Sequence, residues 1–164
     1  MTSTPTSTTD KTAPSQTDSI SFEFDLHHPP EKVWRALTDP ALLAEWLLPV
    51  LDLPRKLEPG AAFKFKREPM PGWDGVVHCR LLEIEANRKL SYTWVVGDFI
   101  DTVVTFTLTA TGGGADGEVG PAGGTRLSLV QSGFKPDQKQ NFGGARYGWR
   151  MMGGKLVELL AKIP

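Results

Sequence analysis

Hydrophobic and polar residues alternate with a period of two in several segments of the chain. The first segment is ISFEFDL, in which Ile20, Phe22, Phe24 and Leu26 alternate with polar side chains. A period of two is typical of a strand with one buried face. About five further strands are predicted in the same way. In one of them, VVHCRLLEIE, the adjacent Leu81 and Leu82 are both apolar, so its register stays open. Their sequences are FKFK, VVHCRLLEIE, LSYTWVV, TVVTFTLTA and TRLSLVQSGF.

Two short helices are predicted directly after the first strand. Pro29 or Pro30 can open the first helix, because the first helical turn needs no N–H from proline. Asp39 is suited to cap the second helix, PALLAEWL. Each helix contains one tryptophan, Trp34 or Trp46, although neither helix is long enough to be stable alone. We therefore expect both indoles to pack between the sheet and a larger element.

A long amphipathic helix is predicted at the end of the chain. Apolar residues recur there every three or four positions, which places them on one side of a helix. The same segment contains several glycines, and each costs on the order of 1 kcal/mol relative to alanine in a helix interior. We expect the glycines to allow a close approach to the sheet, and the alternative is that they leave room for a ligand. The apolar positions are Phe142, Ala145, Trp149, Met152, Leu156, Leu159 and Ile163, and the glycines are Gly143, Gly144, Gly148, Gly153 and Gly154.

The order of these elements predicts an α+β fold. Short connections between consecutive strands favour antiparallel pairing, because parallel pairs need crossovers of about a dozen residues. Helices on one face of such a sheet form an α+β domain. We predict a single domain over residues 19–164. Residues 1–18 are rich in Ser, Thr and Pro and are predicted to form a disordered tail.

Composition and charge exclude several classes of function. The net charge is -1 and no basic run stands out, which argues against a nucleic-acid partner. No stretch approaches the roughly 18 consecutive apolar residues of a membrane span. The single cysteine, Cys79, cannot form an internal disulfide, which favours a reducing compartment. We therefore predict a cytoplasmic protein without a membrane span.

The sequence contains no motif that is specific for metal, phosphate or nucleophilic chemistry. His27 and His28 are adjacent and point to opposite sides of an extended chain, so they cannot chelate one metal ion together. The glycine-rich segment 112–124 leads into a strand and lacks the Gly-Lys-Ser/Thr ending of a phosphate-binding loop, so we predict a hairpin loop. Glu83 and Glu85 share one side of a strand, where a solvated position is favoured over a catalytic pair. We predict no catalytic residue, no metal and no cofactor.

Six short motifs in this chain resemble those of the START-like (SRPBCC) helix-grip superfamily. Within it they are most similar to the branch of the activator of heat-shock-protein-90 ATPase homologues. The resemblance implies a curved antiparallel sheet of about six strands packed on the long C-terminal helix, with a pocket between them for small apolar molecules. It also suggests a role in the stress response. The motifs are VWRALTDPALLAEWL, EPGAAFKF, LLEIEANRKLSYTW, TVVTFTL, GGTRLSLVQSGF and YGWRMMGGKLVELL.

We predict that the protein binds a small hydrophobic or amphipathic ligand, without chemistry, in a cavity between the sheet and the C-terminal helix. This hypothesis requires that the protein's own atoms do not fill that space. Two alternatives stay open: a cyclase- or hydrolase-type enzyme with a perturbed pKa in the same cavity, and a chaperone-interaction module with an exposed apolar patch. A homodimer and a chaperone partner are also left open. The predicted apolar walls are Trp34, Trp46, Phe65, Trp94, Phe106, Trp149 and Met152, and the predicted polar contacts are His78, Gln131 and Tyr147.

Overall fold

A computed structural model describes residues 7–10, 19–69, 71, 73–97, 100–111, 124–135 and 139–163. These residues form one antiparallel sheet and three helices. The strands are β1 (Ser7–Asp10), β2 (Ser19–Leu26), β3 (Val50–Leu51), β4 (Ala62–Lys66), β5 (Val76–Glu85), β6 (Lys89–Val96), β7 (Ile100–Thr111) and β8 (Gly124–Ser132). The helices are α1 (Pro30–Thr38), α2 (Pro40–Trp46) and α3 (Lys139–Lys162).

The strands pair in the order β1-β2-β8-β7-β6-β5-β4-β3, and every neighbouring pair is antiparallel. The first long strand therefore lies beside the last one, so that α1, α2 and α3 are brought to the same face of the sheet. The predicted α+β class and helix-grip architecture are confirmed. The six predicted strands are all present, and the short strands β1 and β3 extend the sheet at its two edges.

The N-terminal segment departs in part from the predicted disordered tail. The backbone of β1 pairs with β2 along its outer edge. Any extended segment can add to an open edge, because the edge presents unpaired backbone N–H and C=O groups whatever the side chains are. Residues 1–6 and 11–18 of the predicted tail lie outside the described residues, and so does the predicted hairpin loop over residues 112–123. The boundary of the domain at residue 19 stays a prediction.

The two short helices begin and end where the sequence predicts. Pro30 occupies the first turn of α1, and the Asp39 side chain caps α2 by accepting a hydrogen bond from the Ala41 N–H at 2.9 Å. Trp46 is buried, and its indole N–H donates to the carbonyl of Ala36 at 2.8 Å, which ties α2 to α1. The expectation that this indole packs inward is confirmed.

The long helix α3 lies against the sheet with its predicted apolar side inward. Gly153 is buried, and a Cβ atom at this position would overlap the ring of Phe24 on β2. The predicted close approach is therefore confirmed at Gly153. An added Cβ at the other glycines would meet either open space or one ordinary contact, so close packing does not explain them. These glycines are Gly143, Gly144, Gly148 and Gly154.

The register of β5 decides which of its side chains reach the interior. Cys79 and Leu81 face the helices, whereas His78 and Leu82 face outward. A bulge between Leu81 and Glu83 then shifts the pairing with β6. An extra residue of this kind is a common way to bend a strand locally.

Candidate functional site

Aromatic side chains pack between the middle of the sheet and α3. The ring centroid of Trp149 on α3 lies 5.6 Å from that of Trp94 on β6 and 6.1 Å from that of Phe106 on β7. Phe65 on β4 lies 5.4 Å from Trp94, and Trp46 on α2 lies 6.4 Å from Phe106. Rings at such distances are in contact. These five residues form the aromatic cluster, and all five belong to the predicted apolar walls.

The side chains that face each other in the aromatic cluster are large. Trp149 descends from the helix onto Trp94 and Phe106, so large rings from both sides interdigitate. The sequence correctly indicated that these residues converge. It did not indicate whether they leave a gap, because the gap depends on the distance between helix and sheet.

Gln131 on β8 lies beside the aromatic cluster and is buried. Its amide oxygen accepts a hydrogen bond from the Trp149 indole N–H at 2.7 Å, and its amide nitrogen donates to the Thr102 hydroxyl at 2.9 Å. The Thr102 hydroxyl in turn donates to the carbonyl of Trp94 at 2.9 Å. We call this chain of hydrogen bonds the Gln131 network. Both ends of the amide are engaged, so Gln131 holds α3 on the sheet.

Two residues that were predicted as polar contacts of the ligand, His78 and Tyr147, lie on the surface instead. His78 is exposed, because the register of β5 points it away from the helices. Tyr147 is 62% exposed, because two residues along a helix correspond to about 200° of rotation from the buried Trp149. Trp34 and Met152 are half-buried and pack at the margin of the core.

A small pocket lies beneath α1 and α2, over the end of the sheet formed by β4, β5 and β6. Its volume is about 10 Å³, which is about the space for one water molecule. Eight of its ten lining residues are leucine or phenylalanine, so the surface is almost entirely apolar. We call it the α1–α2 pocket. Its lining residues are Leu37, Thr38, Leu43, Leu53, Leu57, Phe63, Phe65, Leu81, Leu90 and Tyr92.

One wall of the α1–α2 pocket is the loop between β3 and β4, residues 52–61. Leu53 and Leu57 in this loop are half-buried and line the pocket. The loop is tied at its ends, where Asp52 forms an ion pair with Lys64 of β4 at 3.5 Å and the Gly60 N–H donates to a carbonyl of β5 at 2.7 Å. The remaining walls belong to helices and strands of the core. The β3–β4 loop is therefore the wall that can move with the least disturbance.

Tyr92 supplies one of the two polar side chains in the lining. Its ring is buried against Phe63 and Phe65, with centroid distances of 5.1 and 6.0 Å. Burial, with a smaller effect from Cys79, raises the pKa of Tyr92, so the side chain is a neutral phenol. Burial likewise raises the pKa of the Cys79 thiol. Neither group is suited to act as a base near neutral pH.

The lining of the α1–α2 pocket contains no carboxylate and no imidazole among the residues that the structure describes. Across the same residues, no group of three His, Cys, Asp or Glu side chains lies close enough to hold a metal ion. No described helix has the length and the apolar character that crossing a bilayer requires. The pocket therefore offers apolar contact and hydroxyl groups as its chemistry.

The model of one protein family, described as activator of Hsp90 ATPase homolog 1-like protein, matches residues 27–161. The chain belongs to this family. The match confirms the resemblance to the START-like branch of the activator homologues. The fold of this family is one that supports ligand binding. No curated protein matches the chain.

Solved structures show the same fold. The protein MLL2253 from Mesorhizobium loti is 39% identical with a TM-score of 0.74, and the alignment covers 89% of this chain and 98% of that one. Ms6760 from Mycobacterium smegmatis has a TM-score of 0.73 at 15% identity, with 98% and 99% covered. CalU16 from Micromonospora echinospora has a TM-score of 0.64 at 22% identity, with 96% and 85% covered. At these lower identities the likeness concerns the fold alone.

The sequence analysis did not predict the residues of the α1–α2 pocket, apart from Phe65. Phe63 and Tyr92 lie on inward faces that the alternation of their strands indicates. Leu53 and Leu57 lie in a loop without periodicity, so no sequence signal marks them. The pocket exists because elements distant along the chain meet there.

Proposed function

We propose that this family member binds a small hydrophobic or amphipathic molecule in the α1–α2 pocket and releases it unchanged. The observation that carries the proposal is the interior pocket itself, which is lined almost entirely by leucine and phenylalanine. Ligand sites are typically concave and mostly apolar, with a few polar groups that fix the orientation. The pocket lies beside the aromatic cluster and shares Phe65 with it.

Binding requires the pocket to expand, since a volume of about 10 Å³ is too small for an organic molecule. Outward movement of Leu53 and Leu57 on the β3–β4 loop would enlarge it. Exposing two half-buried leucines costs at most about 3 kcal/mol, whereas a ligand that buries roughly 150 Å² of apolar surface gains about 4 kcal/mol. A ligand of the size of one aromatic ring is therefore sufficient to offset the opening of the loop.

The described residues favour binding over the two alternatives. An acid–base enzyme needs a general base within reach of its substrate, and the pocket lining provides neither a carboxylate nor an imidazole. A chaperone-interaction module needs a contiguous exposed apolar patch. Of the exposed large hydrophobic residues Leu51, Leu82, Tyr147 and Met151, the last two are neighbours on one helix and the first two lie on separate strands. A chaperone partner, a homodimer and a cytoplasmic location stay predictions.

The test is a titration with small neutral aromatic compounds, observed through the methyl NMR signals of the leucines. We expect saturable shifts on the pocket leucines, among them Leu37, Leu43 and Leu90. The variant Leu81→Phe fills the pocket with extra atoms and is expected to weaken binding by about tenfold or more. Leu156→Phe is the matched control, because both leucines are 1% exposed and Leu156 does not line the pocket.

Two results would contradict the proposal. One is a shift pattern centred on the aromatic cluster instead of on the pocket leucines. The other is equal binding by the two phenylalanine variants. Mass spectrometry of the compound after incubation tests the enzyme alternative, since a changed mass would indicate chemistry.

A further inference from the structure

The hydroxyl of Tyr92 is a polar group that the α1–α2 pocket leaves without a partner. Tyr92 is 2% exposed, and no residue in the described part of the chain forms a hydrogen bond with its hydroxyl. Every side-chain N or O atom that is sealed from solvent in this part of the chain does have a partner. The hydroxyl is therefore not fully sealed, and the residue that carries it lines the α1–α2 pocket.

Other polar groups nearby, buried or half-buried, are paired within the protein. The Trp149 indole N–H donates to Gln131 at 2.7 Å. The hydroxyl of Thr38, the second polar side chain of the lining, donates to the carbonyl of Trp34 at 2.8 Å. Tyrosine hydroxyls in a protein interior usually find a hydrogen-bond partner. The hydroxyl of Tyr92 thus points to a partner that the protein itself does not supply.

The charge of that partner follows from the lining. Among the residues that the structure describes, no charged side chain lines the pocket. Moving a charged group from water into such surroundings costs more than one hydrogen bond from a phenol returns. Because burial raises the pKa of Tyr92, the phenol keeps its proton and can donate it in a hydrogen bond.

We infer that the molecule bound in the α1–α2 pocket is uncharged and presents a hydrogen-bond acceptor, such as a carbonyl or ether oxygen, to the Tyr92 hydroxyl. This inference rests on the proposed function and narrows it from any small apolar molecule to neutral aryl or alkyl ketones, esters and ethers. The apolar part of the molecule faces the leucines and phenylalanines of the lining. The single acceptor fixes its orientation.

Three compounds of similar size test the inference. Acetophenone carries a carbonyl oxygen, α-methylstyrene replaces that oxygen by a methylene group of nearly the same shape, and benzoate carries a negative charge. Methyl NMR titration of the full chain gives an affinity for each compound. We expect acetophenone to bind about fivefold to tenfold more tightly than α-methylstyrene, and benzoate to bind at least about tenfold more weakly than both.

The variant Tyr92→Phe removes the hydroxyl and keeps the ring. It is expected to bind acetophenone and α-methylstyrene with equal affinity. Tyr147→Phe is the matched control, because Tyr147 is exposed on α3 and outside the pocket. This control is expected to keep the wild-type preference. A thermal unfolding curve of each variant reports whether it is folded.

The outcomes separate the inference from the proposed function. If acetophenone and α-methylstyrene bind the wild-type pocket equally, or if Tyr92→Phe keeps the preference, the inference is overturned while the pocket remains a binding site. Tight binding of benzoate also overturns it. If none of the three compounds shifts the pocket leucines, the inference and the proposed function both fail.

Discussion

The aromatic cluster and the α1–α2 pocket lie under the same sheet but differ in how space and polar groups are used. In the cluster, rings from α3 and from the strands meet directly, and the Gln131 network pairs the indole N–H of Trp149. In the pocket, leucines from a loop and two helices meet the sheet and leave a small gap, and the hydroxyl of Tyr92 has no hydrogen-bond partner among the described residues. The comparison indicates that the size and pairing of side chains, rather than the fold, decide where this protein has space.

The largest effect is expected from removing the central ring of the filled region. Trp149→Ala deletes a buried indole that contacts two other rings and leaves Gln131 without its donor. We expect the free energy of unfolding to fall by about 3–5 kcal/mol. Urea unfolding followed by circular dichroism measures this change.

Met151→Ala is the control for that prediction. Met151 lies on the same helix and is 50% exposed, so its truncation is expected to change stability by no more than about 0.5 kcal/mol. Equal effects of the two substitutions would show that the aromatic cluster does not stabilise the fold as its contacts suggest.

Two substitutions with a smaller expected effect on stability compare the hydrogen-bonded amide of Gln131 with the hydroxyl of Tyr92. Gln131→Leu removes the acceptor of the Trp149 N–H and the donor to Thr102, so we expect a loss of about 1–3 kcal/mol of unfolding free energy. Tyr92→Phe removes a hydroxyl that has no hydrogen-bond partner among the described residues, so we expect a change within about 0.5 kcal/mol. Urea unfolding of the ligand-free variants measures both changes in the free energy of unfolding. A loss above 1 kcal/mol for Tyr92→Phe would mean that its hydroxyl is already satisfied within the protein.

The smallest effect concerns the close approach of α3 to the sheet. Gly153→Ala places a methyl group against the ring of Phe24, which outweighs the better helix propensity of alanine and gives a net loss of up to about 2 kcal/mol. Gly154→Ala adds the same methyl group in open space and is expected to stabilise the protein by about 0.5–1 kcal/mol. Thermal unfolding of the pair measures the difference. The same sign for both variants would contradict the observed packing.

Most of the fold could be predicted because it depends on local periodicity. Alternation along β2, β4 and β6 indicated which side chains face the helices, and the spacing in α3 placed Trp149 and Leu156 inward. Two features had no local signal. The bulge after Leu81 shifts a register, and β1 pairs through backbone groups that every sequence shares.

The candidate site could be predicted only in part. Phe65, Trp94, Phe106, Gln131 and Trp149 do converge, and of these five Phe65 lines the α1–α2 pocket. Most residues of the α1–α2 pocket were not predicted. Its walls are contributed by segments that lie up to several dozen residues apart along the chain, including the aperiodic loop with Leu53 and Leu57.

The sequence by itself determined the elements, their buried faces and the family. Each of these properties depends on residues that are near one another along the chain or on motifs read in order. Only the tertiary structure decided where a gap remains between the elements and which hydroxyl has no partner among the described residues. These properties depend on how closely elements that are remote in sequence pack against one another, and no local pattern encodes that packing.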